Sequence, residues 1–163
     1  MRNGHRKGLG ARAGNANAAM DSLAHLLRKR ERSVQEARKR LREKGYEAEA
    51  VSCTVSRALA CGLLDDERFA RGYIKGKLSL GWGRRRIEQE LYRFGIATKN
   101  IEGYPDAFFA DDEQLEAALI ASSKHRSRSK NPRQAAYRFL VSKGYSSSIA
   151  SAALRMTEVL QVS

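Results

Sequence analysis

The fold prediction starts from residues 62–95, GLLDDERFARGYIKGKLSLGWGRRRIEQELYRFG. Its apolar residues recur at helical spacing in two segments, one after Asp65-Asp66 and one before Gly95. The aspartates suit a helix start, because their carboxylates accept backbone N–H groups and complement the helix dipole. Gly81-Trp82-Gly83 separates the two segments, and Gly95 suits the residue after a helix end. The stretch therefore predicts helix, glycine turn, helix, glycine turn.

The second half of this stretch is the middle copy of three. Gly45, Gly95 and Gly144 lie 50 and 49 residues apart. Each glycine is preceded at the same distances by apolar residues and is followed at once by Tyr or Ile. The equivalent residues are Leu41, Leu91 and Leu140, four positions before the glycine, and Ala37, Ile87 and Ala136, eight before. Two near-equal intervals with one pattern indicate an internal repeat of about 50 residues.

The repeat predicts an all-α protein of three tandem three-helix repeats. No run of residues alternates between apolar and polar in the way that predicts a strand. Stacked copies bury their apolar stripes against each other, which favours an elongated, curved array. Gly103 and Pro105 predict an early end or kink in the third helix of the second repeat. The predicted segments are a disordered basic tail, 1–18, and the repeats 19–62, 63–110 and 111–163.

Local signals place individual helix ends. Ser33, with Glu36 three residues later, is typical of a capping box. Pro132 suits the first position of a helix. Cys53 and Cys61 are too far apart on one predicted helix to form a disulfide, so we expect two reduced, partly buried thiols.

The formal net charge of the chain is +13, and its isoelectric point is about 10.2. Such an excess attracts polyanions or acidic protein surfaces, and nucleic acid is the first candidate. Nothing in the sequence resembles a signal peptide or a membrane span, so we expect a soluble cytoplasmic protein.

No residue pattern predicts a catalytic centre, a cofactor site or a metal site. Asp65-Asp66-Glu67 points in several directions on a helix, so capping explains these acids better than metal binding. The histidines are scattered, and Gly81-Trp82-Gly83 lacks the lysine and the preceding strand of a phosphate loop. We expect Trp82 to pack rather than to stack on a base, and we expect no enzyme.

The charged residues are segregated along the chain. Nine basic and three acidic residues lie between Arg28 and Lys44, whereas residues 100–123 hold six acids and no Lys or Arg. A solvated surface explains part of this pattern, but three arginines opening one helix oppose its dipole and favour an anionic partner. The predicted nucleic-acid or filament contacts are Arg38, Arg42, Arg84, Arg85, Arg86, Lys124, Arg126, Arg128, Lys130 and Arg133. The predicted protein contacts are Asp111, Asp112 and Glu113.

Three segments resemble the RecX family of bacterial recombination regulators. They are GLLDDERFARGYI, with Leu63 where the family usually has an aromatic residue, GWGRRRIEQELYRFGI, and RQAAYRFLVSKGYSSSIASAAL. The basic linker SSKHRSRSKNPR and the Gly103/Pro105 break depart from the family pattern.

The resemblance implies a right-handed array that binds the filament of RecA on single-stranded DNA. It also implies negative modulation of RecA ATPase, strand exchange and co-protease activity, in homologous recombination, DNA repair and the SOS response, without a catalytic site or cofactor. We expect a monomer whose partners are the RecA filament and single-stranded DNA, with double-stranded DNA as a further option. The alternatives are a general helical nucleic-acid-binding protein without a recombinase partner and an adaptor that recognises protein only.

Overall fold

The computed structural model describes residues 15–162, with side chains as far as Val159. Between residues 15 and 162 there are eight α-helices, one short 3₁₀ helix and no strand, which confirms the all-α prediction. The α-helices are α1 Ala16–Lys29, α2 Val34–Glu43, α3 Ala48–Ala60, α4 Asp66–Ser79, α5 Arg84–Arg93, α6 Asp111–Lys124, α7 Pro132–Lys143 and α8 Ser147–Val162. The 3₁₀ helix is Thr98–Asn100.

Helix α1 begins before the predicted end of the basic tail. The Asn15 side chain accepts hydrogen bonds from the Asn17 and Ala18 amides, at 2.9 and 3.1 Å, so Ala16 is the first helical residue. Asparagine is among the preferred N-cap residues. The last three residues of the predicted tail, 16–18, therefore belong to the helix. Residues 1–14 lie outside the described part of the chain.

The chain divides into two compact units, and unit 1 contains residues 15–70 and 94–96. Helices α1, α2 and α3 pack around a core that includes Leu23, Leu41 and Val55, all fully buried. The Tyr46 hydroxyl donates to the Ala18 carbonyl at 2.9 Å, which ties the turn after α2 to α1.

Cys53 and Cys61 are free and exposed, so the expectation of partly buried thiols was wrong.

The start of α2 is capped from two sources. Ser33 Oγ accepts the Glu36 amide at 3.1 Å, which confirms the predicted N-cap. In a complete capping box the Glu36 side chain would accept the Ser33 amide. Here its carboxylate pairs with Arg30 and with Arg32 Nη1, which lies 2.6 Å away. From the start of α4, Asp66 Oδ1 accepts the Val34 amide at 2.8 Å. Burial raises the pKa of Asp66, against the lowering effect of that hydrogen bond.

Unit 2 contains residues 71–93 and 97–162. Its main core lies between α6, α7 and α8 and includes Ala118, Leu140 and Tyr145, all fully buried. The Tyr145 hydroxyl donates to the Gly81 carbonyl at 3.1 Å, and burial raises its pKa. This bond fixes the turn after α4 against the turn after α7.

The repeated glycines adopt the conformation that their positions require. Gly45, Gly95 and Gly144 have φ angles of 88°, 75° and 99°, in the left-handed region that L side chains rarely adopt. Each therefore ends its helix as predicted.

The third helix of the predicted second repeat is reduced to Thr98–Asn100. Turns follow as far as Phe108, and the Tyr104–Pro105 peptide bond is cis. The early end predicted from Gly103 and Pro105 is therefore confirmed. The division of the chain into repeats at residues 62 and 110 remains a prediction.

Candidate nucleic-acid interface

The three arginines at residues 84–86 open α5, and the backbone amides of the first two already have partners. The Arg84 amide donates to Gln114 Oε1 of α6 at 3.3 Å, and the Arg85 amide donates to the Gly144 carbonyl at 3.0 Å. Gln114 is 4% exposed, so this acceptor is shielded from water. The start of α5 therefore offers arginine side chains to an anion, rather than the amides of Arg84 and Arg85.

Close contact between two backbone segments holds this helix start in place. The Gly83 amide donates to the Lys143 carbonyl at 2.8 Å. A Cβ atom at Gly83 would overlap the backbone of Gly144 and Tyr145, and one at Gly144 would overlap Arg86. The glycine after Trp82 is therefore required by packing within unit 2.

Arg84 is partly neutralised by its neighbours. Its Nε atom lies 2.8 Å from Glu88 Oε1, and its guanidinium lies 5.6 Å from the centre of the Tyr104 ring. The Tyr104 hydroxyl donates to the same Glu88 oxygen at 2.5 Å. Burial, and then this hydrogen bond, raise the pKa of Tyr104, and the bond to Glu88 raises the pKa of Arg84. The network orients Arg84 and reduces its attraction for an external anion.

Arg86 is held by an aromatic ring. Its guanidinium carbon lies 3.7 Å from the centre of the Trp82 ring, and Lys77 Nζ lies 4.5 Å from the same centre. Both distances are within the range of cation–π attraction. Trp82 therefore packs against two cations of unit 2, as expected, while the expectation that it does not stack on a base stays a prediction.

Arg85 is the most available of the three arginines. Its side chain is exposed and forms no hydrogen bond or ion pair with any residue in 15–162. Gln89, Tyr92 and Arg93 follow on the same face of α5 at i+4, i+7 and i+8, and all three are exposed. Tyr92 is 82% exposed. Sequence reasoning missed this stripe, although its spacing was visible.

The basic segment around residues 124–133 connects α6 to α7. Lys124, Arg126, Arg128 and Lys130 are exposed, whereas Arg133 Nη1 lies 2.8 Å from Glu158 Oε1. The Asn131 side chain accepts the Gln134 amide at 3.1 Å, and Pro132 is the first helical residue, as predicted.

Arg38 and Arg42 lie on α2 in unit 1. Arg38 is half-buried, with Nη1 3.5 Å from Ser52 Oγ, whereas Arg42 is exposed. Two exposed or half-exposed arginines one turn apart form a cationic strip on this helix.

Asp111, Asp112 and Glu113 form the exposed first turn of α6, where their charges complement the helix dipole. Asp111 also lines a cleft of about 320 Å³ with Arg84 and Arg85. The structure therefore brings together side chains that the sequence analysis assigned to different partners. The cause is the Gln114 cap, which sets the start of α6 beside the start of α5.

The described residues form neither a metal-binding cluster nor a membrane span. Between residues 15 and 162, no three His, Cys, Asp or Glu side chains cluster in a way that could hold a metal ion. None of the helices in that range has the length and apolar character needed to cross a bilayer.

Comparisons with known proteins agree with one another. A sequence profile described as RecX, second three-helix domain, matches residues 65–103. The chain is 30% identical to Regulatory protein RecX of Actinobacillus pleuropneumoniae serotype 5b over 127 residues, which cover 78% of this chain and 84% of that protein. It is 31% identical over 135 residues to Regulatory protein RecX of Vibrio parahaemolyticus serotype O3:K6, covering 79% and 84%.

Solved structures show the same fold. The crystal structure of RecX from Lactobacillus salivarius superposes with a TM-score of 0.74 at 19% identity, over 88% of this chain and 97% of that one. A crystal structure of regulatory protein RecX gives a TM-score of 0.76 at 24% identity, over 83% and 71%. The identity and coverage of the curated relatives, together with the repeat pattern and the all-helical fold, lead to one conclusion: the chain belongs to the RecX family.

Proposed function

We propose that this protein regulates homologous recombination and DNA repair by binding the RecA filament on single-stranded DNA. It acts as a cytoplasmic monomer, without a cofactor or a catalytic step of its own. By occupying the filament, it lowers RecA ATPase, strand exchange and co-protease activity. Its membership of a family whose curated members are named regulatory proteins supports this proposal.

The observation that carries the proposal is the exposed cationic surface of unit 2. Arg85 is unpaired within residues 15–162 and shares its helix face with the 82% exposed Tyr92. Guanidinium groups bind phosphate, and an exposed aromatic ring stacks on an unpaired base. This combination suits a single strand better than a closed duplex, whose bases are stacked on each other.

Lys124, at the end of α6, and Arg126, Arg128 and Lys130, on the connection between α6 and α7, extend the cationic surface. The last three have no regular secondary structure to fix their side chains, so they add attraction for phosphates without sequence preference. Arg38 and Arg42 offer a smaller contact in unit 1. Double-stranded DNA remains a weaker ligand in this proposal, because phosphates attract the same cations in either form.

The acidic turn at Asp111, Asp112 and Glu113 is proposed to contact RecA itself. Asp112 and Glu113 are its more available members, because Asp111 shares a cleft with Arg84 and Arg85. Carboxylates beside a phosphate-binding surface also steer the orientation of the complex, because they repel the DNA backbone.

A general nucleic-acid-binding protein is the second candidate, and the net charge of +13 favours it. Such a protein would bind naked single strands as tightly as it binds recombinase filaments. A regulator of the filament would bind the filament more tightly, because it gains contacts to protein as well as to DNA.

A side-by-side titration tests the proposal. Binding to an oligonucleotide and to the same oligonucleotide coated with the cognate RecA is measured across a salt series. We expect tighter binding to the filament, and we expect Arg84→Ala/Arg85→Ala/Arg86→Ala to weaken it and to flatten its salt dependence. Equal affinity for both ligands would contradict the recombinase partner, whereas an unchanged salt dependence would remove the arginines from the interface.

A further inference from the structure

We propose that a groove between the end of α4 and helices α6 and α7 binds an acidic, amphipathic segment of a protein partner. The groove lies within unit 2 and has a volume of about 490 Å³. Its lining is mainly apolar, and the apolar side chains are those of Leu78, Leu80, Ala117, Ile120, Ala121 and Phe139. Lys124 and Lys143 line the same groove.

Two large aliphatic side chains are exposed in this groove. Leu80 is 62% exposed and Ile120 is 49% exposed. A single exposed leucine is ordinary on a protein surface, but neighbouring ones around a depression are typical of an interaction site. Covering them would remove apolar surface from water, which is the main source of binding free energy at protein interfaces.

The exposed leucine is held in place by the turn that carries it. Leu80 is the residue after α4, its amide donates to the Lys77 carbonyl at 3.1 Å, and Gly81 then reverses the chain with a φ of 71°. The Tyr145 hydroxyl donates to the Gly81 carbonyl. The backbone of this groove wall is therefore fixed before a partner arrives, which lowers the entropic cost of binding.

The charge of the groove selects the partner. Lys124 and Lys143 line it, and none of the described residues that line it is Asp or Glu. Lys143 Nζ lies 5.6 Å from the centre of the Phe139 ring, so its alkyl chain covers the apolar wall while the ammonium group stays at the rim. An apolar side chain flanked by carboxylates complements this arrangement.

A nucleic acid fits the groove less well than a peptide does. Leu80 and Ile120 offer bases neither hydrogen bonds nor an aromatic face. The aromatic ring of the groove, Phe139, already stacks on His125 with the ring centres 4.2 Å apart. The groove therefore differs in chemistry from the α5 stripe of Arg85 and Tyr92, which suits a single strand.

This inference rests on the proposed function, because it takes the RecA filament as the protein partner. It places a protein contact on the second half of α6, separate from the acidic first turn of that helix. The partner segment is defined by its chemistry: at least one large apolar side chain with acidic neighbours.

The test is the double variant Leu80→Ser/Ile120→Ser, measured on two ligands. We expect its affinity for RecA-coated single-stranded DNA to fall by about tenfold, since two buried aliphatic contacts are lost. Its affinity for the naked oligonucleotide should not change. Leu59→Ser/Leu63→Ser is the matched control, because these two leucines of unit 1 are each 44% exposed and lie outside the groove. Thermal unfolding by circular dichroism checks that both variants fold.

Lys143→Ala supplies an independent readout. It should weaken filament binding at low salt and lose this effect as salt increases, because a rim ammonium acts through screened attraction.

Three results would overturn the groove assignment while the proposed function stands. The first is that the double variant binds the filament with unchanged affinity. The second is that its affinity for naked DNA falls as much as its affinity for the filament. The third is that the wild-type protein sediments as a dimer and the double variant does not. Wild-type protein that binds filaments no better than naked DNA would instead overturn the proposed function, and the partner assigned to the groove with it.

Discussion

Helices α2 and α5 are equivalent in the repeat, because each has a leucine, Leu41 or Leu91, four residues before the glycine that follows the helix. The two helices nevertheless begin differently. Helix α2 has a local cap, Ser33, and a distant one, Asp66. Helix α5 is capped from a distance by Gln114 and by the Gly144 carbonyl. In both cases the first helical amide is bonded by a side chain in the first turn of a later helix, α4 for α2 and α6 for α5.

The two distant caps differ in charge, and that difference bears on function. A carboxylate at a helix start offsets the positive end of the dipole, whereas an amide oxygen completes the hydrogen bond without adding charge. The positive end of the dipole of α5 is therefore not offset by its distant cap, and the three arginines at the same end add further positive charge. We infer that α5 is arranged to bind an anion, whereas the caps of α2 serve the stability of that helix.

The largest expected effect comes from the glycine contact that supports α5. Gly83→Ala should lower the free energy of unfolding by about 3 kcal/mol, because the added methyl group overlaps the backbone of Gly144 and Tyr145. Gly76→Ala is the control: this helical glycine has open space around it, so alanine should raise stability by about 1 kcal/mol. Urea denaturation of both variants measures the difference. Equal effects of Gly83→Ala and Gly76→Ala would mean that the turn at Gly83 does not touch the turn at Gly144.

The distant cap of α5 should matter more than the local cap of α2. Gln114→Leu leaves the part-buried Arg84 amide without its side-chain acceptor and should lower the free energy of unfolding by about 2 kcal/mol. Ser33→Ala should lower it by about 1 kcal/mol, the usual effect of losing an N-cap side chain. Gln114→Glu retains an oxygen acceptor and serves as the control in the same denaturation series. A smaller loss for Gln114→Leu than for Ser33→Ala would reverse this ranking.

Arg85 should contribute more to DNA binding than Arg84. Arg84 is engaged with Glu88 and Tyr104, whereas Arg85 has no side-chain partner in residues 15–162. Arg85→Ala should reduce the slope of log affinity against log salt by about 1 and weaken binding several-fold. Arg84→Ala should change both quantities less. Fluorescence anisotropy with a labelled oligonucleotide measures both, and a larger loss for Arg84→Ala would contradict the proposed roles.

The smallest expected effect concerns the pH dependence of the cap on α2. Burial raises the pKa of Asp66 above its ordinary 3.8, so the folded state holds this proton to higher pH than the unfolded state does. The stability contributed by protonation is complete below 3.8 and is lost as pH rises through the raised pKa. Asp66→Asn keeps an oxygen acceptor and should remove this part of the pH dependence. Thermal unfolding from pH 3 to pH 7 compares the two proteins, and parallel curves would contradict the raised pKa.

Local signals in the sequence predicted much of the fold. Ser33, Pro132 and the repeated glycines mark helix ends through interactions within a few residues, which a sequence pattern contains. The Gln114 cap and the Gly83–Gly144 contact join residues about 30 and 60 positions apart, and no local rule indicates them. The groove at Leu80 and Ile120 is formed by the packing of three helices, so no local rule indicates it either.

The candidate contacts were only partly visible in the sequence. Arg84, Arg85 and Arg86 look equivalent as a run of three, but the structure gives each a different environment. The Arg84–Glu88 pair has the usual i, i+4 spacing on a helix and could have been foreseen. The Arg86–Trp82 contact spans a turn whose geometry depends on Gly83, so it could not.

The most direct test is the single-stranded-DNA-dependent ATPase of the cognate RecA, measured while this protein is added below one copy per recombinase. We predict a steep fall in ATPase at substoichiometric amounts, because a bound regulator limits the filament beyond the site that it occupies. An unchanged ATPase at saturation, with the DNA still bound, would contradict it and leave a general nucleic-acid-binding protein with the RecX fold.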